Sequence, residues 1–343
     1  MTLTLMDLGW SASFEQARAE HPDTLTPYRL TEIHRAQMNA LGEGGAVILT
    51  TPKFSAGELA VGDWVLADPE MRIQEILDRR SLLQRRGAGT DAHVQLIAAN
   101  VDTLFIVTSC NDDFNVARLE RFLALAHEAG CYPVLVLTKA DLCDDPREYE
   151  REAQVLDPML TILTVNARDP ESAAAVAAWC KAPQTAAFIG SSGVGKTTLT
   201  NALTGGDAAT GAIREDDAKG RHVTTARSMR PMLQGGWIID MPGMRALRLI
   251  DTREGIDNVF DDLAELETQC RFTDCAHETE PGCAVQAAIA AGDLDLERLD
   301  RWLKLRKGEK KNSETVAQSR SREKKFSKMV KGVVKGTKHR KGR

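Results

Sequence analysis

Two short nucleotide-binding motifs stand in this chain in reversed order. The segment Gly190-Ser191-Ser192-Gly193-Val194-Gly195-Lys196-Thr197 carries the full G-x-x-x-x-G-K-[ST] pattern of a phosphate loop. The segment Thr138-Lys139-Ala140-Asp141 reads as a guanine-recognising loop and precedes the phosphate loop by about fifty residues. In the ordinary arrangement the phosphate loop comes first and the base reader late. The inversion therefore predicts an α/β nucleotide-binding sheet whose strands have been circularly permuted.

The phosphate loop is a mechanical device. Its glycines let backbone N–H groups turn inward around the phosphates, its lysine neutralises charge near the β/γ bond, and the following hydroxyl ligates Mg²⁺. The context fits: Ala186-Ala187-Phe188-Ile189 is a short apolar run ending at Gly190, and Thr197 to Leu203 reads as a helix. An anion then meets a helix N-terminus, where free N–H groups and the dipole favour it. Thr198 extends the nucleotide-contacting segment by one residue.

Downstream, Trp237-Ile238-Ile239-Asp240-Met241-Pro242-Gly243 is an apolar strand ending in D-x-P-G. An Asp at a strand end can hold Mg²⁺ through water, and Gly243 can present its N–H to the γ-phosphate. Between the two motifs, Gly220-Arg221-His222-Val223-Thr224-Thr225 is polar and aperiodic, and reads as a switch loop closing on Mg²⁺ and γ-phosphate. Thr224 or Thr225 is the second hydroxyl ligand for Mg²⁺, alongside Thr197.

Base reading falls to Asp141 and Lys139. The Asp141 carboxylate accepts from the guanine N1–H and exocyclic amine, a donor edge that adenine lacks. The Lys139 stem packs along the purine plane. Cys131 to Leu137 is a buried-strand run ending at this loop, and Leu160 to Val165 is a further strand ending at Asn166-Ala167-Arg168. Thr138 stands where GTPases usually carry Asn, which places the loop-bracing contact in question and leaves the base contact intact. Met244 follows D-x-P-G where many GTPases place a water-orienting Gln. The intrinsic rate is then low, and His222 is the internal candidate for ordering the attacking water once a partner orders its loop. Lys196 and His222 are the catalytic candidates.

Cys270, Cys275, His277 and Cys283 have the spacing C-x4-C-x-H-x5-C. Three thiolates and one imidazole suit a closed tetrahedral Zn²⁺ site with a structural role. The other four of the seven cysteines are scattered through apolar segments, which argues against disulfides. Zinc would staple a small helical unit in which Ala287 to Leu305 packs with Leu294, Leu296, Leu299, Trp302 and Leu303 inward.

The net charge of −5 conceals an asymmetry. Residues 304–343 hold sixteen Lys/Arg against three Asp/Glu, and the rest of the chain holds twenty-eight against forty-six. An acidic body with a basic, polar tail points to a polyanionic partner, most simply RNA, with much of the tail disordered when free. From about Tyr28 to Arg86, short β-like runs punctuated by glycine suggest a small barrel such as an OB-fold. A purely structural SH3-like barrel is the alternative. The run ends in Arg79-Arg80-Ser81-Leu82-Leu83-Gln84-Arg85-Arg86, a compact basic patch suited to phosphate. Residues 1 to about 27 give no signal. Neither a signal peptide nor a membrane-length apolar run is evident, so a soluble cytoplasmic protein is expected.

The ordered set of motifs resembles one family, the ribosome small-subunit-dependent GTPases of the RsgA type. The resemblance is carried by Gly62-Asp63-Trp64-Val65, Arg79-Arg80-Ser81 and Ile97-Ala98-Ala99-Asn100-Val101-Asp102, then by the T-K-A-D loop, the phosphate loop, Gly220-Arg221-His222, D-M-P-G and the Cys/His cluster, and it covers roughly residues 30 to 305. Val223 departs from the family's usual G-R-H-T-T-T. The resemblance implies an α/β circularly permuted P-loop GTPase domain with an N-terminal β-barrel (OB-fold) and a C-terminal small α-helical zinc-binding domain. The expected division is an N-terminal extension at 1–29, the barrel at 30–92, the GTPase domain at 93–255, the zinc domain at 256–305 and a basic tail at 306–343. It also implies a monomer that binds GTP or GDP, acts in late maturation of the small ribosomal subunit through 16S rRNA, and is stimulated by that subunit. A GTP-gated RNA-binding regulator independent of the ribosome is the alternative.

Overall fold

In the computed structural model, the structure describes residues 3–87, 94–206, 227–241, 249–313 and 321. A short helix α1 (Ala12–Arg18) precedes five strands, β1 (Thr26–Ile33), β2 (Met38–Gly42), β3 (Gly45–Leu49), β4 (Trp64–Ala67) and β5 (Ile73–Ile76). Strand β1 pairs antiparallel with both β2 and β4, β2 pairs with β3, and β4 pairs with β5. A parallel bridge between Thr50 and Arg72 joins the ends of β3 and β5. The circuit β1-β2-β3-β5-β4 is a five-stranded barrel of OB type. It encloses its own core of Leu30, Met38, Leu49, Leu59, Val65 and Ile73.

A hairpin follows, β6 (Leu82–Arg86) antiparallel to β7 (Val94–Ala99). The nucleotide-binding sheet then begins with β8 (Thr103–Ser109), α2 (Val116–Glu128), β9 (Tyr132–Thr138), α3 (Pro146–Gln154), β10 (Thr161–Thr164), α4 (Pro170–Ala177), β11 (Thr185–Gly190) and α5 (Lys196–Thr204). Strands β12 (Ser228–Pro231) and β13 (Trp237–Asp240) complete it. The order is β10-β9-β8-β11-β13-β12, parallel except for β12. Glu32 pairs with Ser228, so β12 also meets β1 and one sheet runs on into the barrel.

Both faces of this sheet are covered, which is why its strands read as continuous apolar runs. Phe105, Val107, Val136, Phe188 and Ile238 point to the face packed by Val176, Leu199 and Leu203 of α4 and α5. The alternate residues Leu104, Ile106, Leu137, Ile189 and Ile239 belong to the opposite core with Phe122 and Leu123 of α2. That second core continues into α6 (Arg253–Val259), α7 (Asp261–Thr268), α8 (Ala284–Ala291) and a final helix α9 at 296–313. Buried Glu120 of α2 receives Arg301 at 2.9 Å, and Arg298 forks onto Asp262 at 2.8 and 2.9 Å. These pairs fix α9 against α2 and α7.

Two expectations are corrected. Leu296 is 57% exposed rather than packed, because it occupies the outer face at the start of α9, whereas Leu299 and Trp302 are buried. Residues 306–313, expected within a disordered tail, continue α9. The N-terminal segment also carries structure. Leu8, Trp10 and Phe14 are buried, Trp10 meets Trp64 edge-on at 4.7 Å, and Trp237 donates to the Asp7 carbonyl at 2.7 Å.

Candidate functional site

The loops after β8, β9, β10, β11 and β13 all leave the same edge of the sheet, since those strands are parallel. In open α/β sheets ligands collect at that carboxyl edge. The sheet order places β8 between β9 and β11. The base-reading loop and the phosphate loop therefore flank a single strand.

The phosphate loop joins β11 to α5, as its motif requires. Gly190 lies at φ +152°, and a Cβ there would stand 2.1 Å from the Val107 carbonyl oxygen, so only glycine lets the two strands stay paired. Gly195 at φ +100° precedes Lys196, the first residue of α5. Ser192, Gly193 and Thr197 are exposed, and Val194 is buried beneath them. Lys196 curls over the loop, donating to the Gly190 carbonyl at 2.8 Å and to the Ser191 carbonyl. Burial pulls its ammonium pKa down to about 8, against the opposing charges of Asp113 and Asp240. Asp240 ends β13; burial raises its carboxyl pKa, with Arg230 and Lys196 acting the other way.

Thr138 is fully buried at the end of β9. Its Oγ1 lies 2.5 Å from the Val194 carbonyl oxygen and 3.1 Å from that of Thr108. A hydroxyl thus braces the T-K-A-D loop against the G-x-x-x-x-G-K-T loop. Lys139 takes a left-handed conformation at φ 58°, which opens a single 3₁₀ turn over Ala140–Leu142 and turns Asp141 to solvent. Asn166 accepts from the Arg168 N–H at 3.0 Å in the loop after β10, on the strand next to β9.

Asp113 was not singled out from the sequence. It lies in the loop between β8 and α2, meets Arg118 at 3.1 Å, and acts on Lys196. The only available signal was a carboxylate just past an apolar strand. His222, Thr224, Thr225 and Gly243 lie outside the described residues.

Away from this edge, the Sγ and imidazole donors of Cys270, Cys275, His277 and Cys283 lie within 4.8 Å of one another. Cys270 and Cys283 sulfurs are 3.9 Å apart, and His277 Nδ1 is 3.7 and 3.5 Å from them. Such separations are the edges of a tetrahedron with metal–sulfur bonds of ~2.3 Å. The set can hold one metal ion. Partial burial opposes a thiolate at Cys270, yet N–H groups of Ala284 and Val285 at the start of α8 bring its pKa below the ordinary thiol value. His277 is buried beside Trp302, and its Nε2 faces Glu267 at 3.7 Å. Glu267 is in turn held by Arg306 at 2.8 Å, an outer support that the sequence did not signal.

A parallel sheet with its base reader before its phosphate loop, joined at Thr138 and Val194, defines a circularly permuted GTPase. The RsgA GTPase family model matches residues 76–250. The chain belongs to that family and is a GTP hydrolase. It is 52% identical over 308 residues to a Mesorhizobium japonicum protein named small ribosomal subunit biogenesis GTPase RsgA, covering 88% of this chain and 89% of the relative. It is 47% identical over 332 residues to RsgA 2 of Vibrio parahaemolyticus, covering 96% and 92%. Among solved structures, YjeQ from Thermotoga maritima superposes with a TM-score of 0.59 at 23% identity, covering 82% of this chain and 97% of that one. YloQ, described as a circularly permuted GTPase, gives 0.56 at 23% identity, covering 83% and 94%.

Proposed function

We propose that this GTPase acts in late maturation of the small ribosomal subunit, binding the subunit through its 16S rRNA and hydrolysing GTP faster when bound. The observation that carries the reading is the join of base-reading and phosphate loops in a chain whose relatives are named small ribosomal subunit biogenesis GTPases. GTP favours the subunit-bound state, and hydrolysis on a properly formed subunit releases the protein as a GDP-bound monomer in the cytoplasm. No helix among the described residues is long and apolar enough to cross a membrane.

The residue roles follow from their chemistry. Asp141 accepts the guanine N1–H and amine, Lys139 covers the purine face, and Thr138 holds that loop at a fixed distance from the phosphates. Gly190 to Thr198 wrap the phosphates, with Lys196 leaving its carbonyl partners to neutralise charge near the β/γ bond. Thr197 and Asp240 would hold Mg²⁺, with Thr224 or Thr225 as the further hydroxyl. When bound there, the ion would supply neutralisation of phosphate charge. Gly243 donates to the γ-phosphate, and His222 orients the attacking water. The Cys/His cluster takes Zn²⁺, which three thiolates and one imidazole select, and its part is structural.

The test is GTP hydrolysis with and without purified small subunits at fixed salt. Strong stimulation by small subunits, absent with large subunits and lost in Lys196→Ala, is the expected result. Slow turnover that small subunits leave unchanged would overturn the ribosomal assignment and leave the GTPase intact.

A further inference from the structure

The basic run at residues 79–86 is taken apart by the fold. Arg79 is spent internally: it forks onto the fully buried Asp63 carboxylate at 2.7 and 2.8 Å and also donates to the Glu58 carbonyl. Arg80 pairs with Asp102 at 3.3 Å and lies over the Phe14 ring. Both are structural ties between barrel, hairpin and nucleotide-binding sheet.

Arg85 is different. It stands opposite Gln95 in the β6–β7 hairpin, and its Nε donates to the Gln95 side chain at 3.0 Å. Arg227 comes from far along the chain, at the residue before β12, and donates to the carbonyl of Leu96, one residue on from Gln95, at 3.1 Å. Two half-buried guanidinium groups are thus moored to consecutive residues of one strand. Burial lowers the Arg227 pKa, and the Arg85 charge lowers it further, so each cation opposes the other. Among the described residues neither forms an ion pair with a carboxylate. Among the described residues each uses one donor on its mooring, and a guanidinium has five. Holding two like charges together is unfavourable unless an anion joins them, and arginine forks match phosphate oxygens in geometry as well as charge.

We propose that Arg85 and Arg227 together form a binding site for a backbone phosphate of RNA. The inference rests on the small-subunit reading above and deepens it by naming one contact. Its placement has a consequence. Arg227 directly follows residues 207–226, which contain the switch-loop motif, and β12 pairs with β13, which ends at Asp240. A phosphate seated there would hold Arg227 and the start of β12 against the hairpin.

The experiment measures binding of the full-length protein, loaded with a non-hydrolysable GTP analogue, to purified small subunits across a salt series. Wild type is compared with Arg85→Gln and Arg227→Gln, and basal GTP hydrolysis without subunits serves as the folding control. Each variant is expected to bind roughly tenfold more weakly at moderate salt, with a log–log salt slope reduced by about one, and to keep its basal rate. If wild type binds with a steep salt slope and both variants match it in affinity and slope, the pair is only a mooring for the hairpin and the site is refuted. If wild type itself fails to bind small subunits, the ribosomal reading fails first. Should Arg227→Gln lose its basal rate, Arg227→Lys separates the cases, since the site predicts partial recovery of binding with the positive charge.

Discussion

Thr138 and Val194 lie fifty-six positions apart in sequence, and the hydroxyl of one sits 2.5 Å from the carbonyl of the other. This hydrogen bond ties the loop proposed to read the base to the loop proposed to hold the phosphates. Removing the hydroxyl leaves a buried carbonyl without that partner, at a cost of about 1–2 kcal/mol. Thr138→Ala should therefore weaken GTP and GDP alike, by roughly tenfold, while Thr138→Ser stays near wild type. Titration with a fluorescent guanine nucleotide reads this directly. Equal affinity in Thr138→Ala would mean that the two loops are held by other contacts.

Asp141 is exposed at the tip of its 3₁₀ turn, free to meet a base rather than committed to the core. Asp141→Asn turns an acceptor into a mixed amide and mismatches the guanine donor edge. Affinity for GTP should drop by about a hundredfold or more, and xanthine nucleotides should gain, because they present the complementary pattern. Competition among GTP, XTP and ATP measures it. Unchanged GTP binding in the variant would remove Asp141 from base recognition.

Lys196 should make nucleotide binding pH-dependent. Its ammonium in the free protein titrates near pH 8, below its ordinary value. Phosphates favour the charged form, so the complex binds this proton more tightly than the free protein does. GTP binding should take up close to one proton at pH 9 and almost none at pH 7, and Kd should rise about tenfold per pH unit above 8. Calorimetry in buffers of different ionisation enthalpy reads the proton directly. The same depressed pKa predicts that Lys196 contributes stability that increases as pH rises from about 8 toward 10, because the unfolded chain still holds the proton there. Lys196→Ala should abolish turnover and flatten the proton uptake. A wild-type profile with no uptake at pH 9 would argue against this environment for the lysine.

Metal removal should act on the C-terminal helices and spare the chemistry at the sheet edge. Elemental analysis is expected to find one zinc per chain. Chelation or Cys283→Ser should loosen α7, α8 and α9, seen as lost helical circular dichroism and faster proteolysis after residue 260. GTP affinity should change less than threefold. Full helicity in a metal-free preparation would show that the cluster contributes little to folding.

Gly255 tests how the helical unit is held. A Cβ there would lie 2.0 Å from the Ala124 carbonyl and 2.9 Å from the Glu128 nitrogen, both backbone. Gly255→Ala must push α6 off α2, and overpacking of this kind costs ~1–3 kcal/mol. The melting temperature should fall by several degrees, and Glu128 should lose its hydrogen bond from the Gly255 N–H, now 3.0 Å. An unaltered melting curve would mean that the helices can part without loss.

The chemistry of the site was legible in the chain because its motifs are local. Gly190 to Thr197, the strand ends at Leu137 and Asp240, and the Cys/His spacing each demand a backbone path that a few neighbouring residues can specify. Their order along the chain announced the permutation. The burial of β11, and of β9 beyond Tyr132, followed from their apolar runs. What Thr138 does was not legible, since a hydroxyl acquires its role from whichever carbonyl the fold sets beside it.

Charge was the least legible property. In sequence, Arg79, Arg80 and Arg85 form one basic run; in the fold, Asp63 and Asp102 take the first two, and Arg227 joins the third from well over a hundred residues away. The N-terminal residues were silent for the same reason, because Trp10 and Phe14 lack periodicity and find their meaning only against Trp64. By itself the sequence determined the reaction class, the permuted sheet and a Cys/His cluster able to hold a metal ion, all of which short-range backbone geometry encodes. Only the tertiary structure decided which cations are spent on internal carboxylates and which stay open to an anion, because that depends on pairings across the fold that no local pattern records.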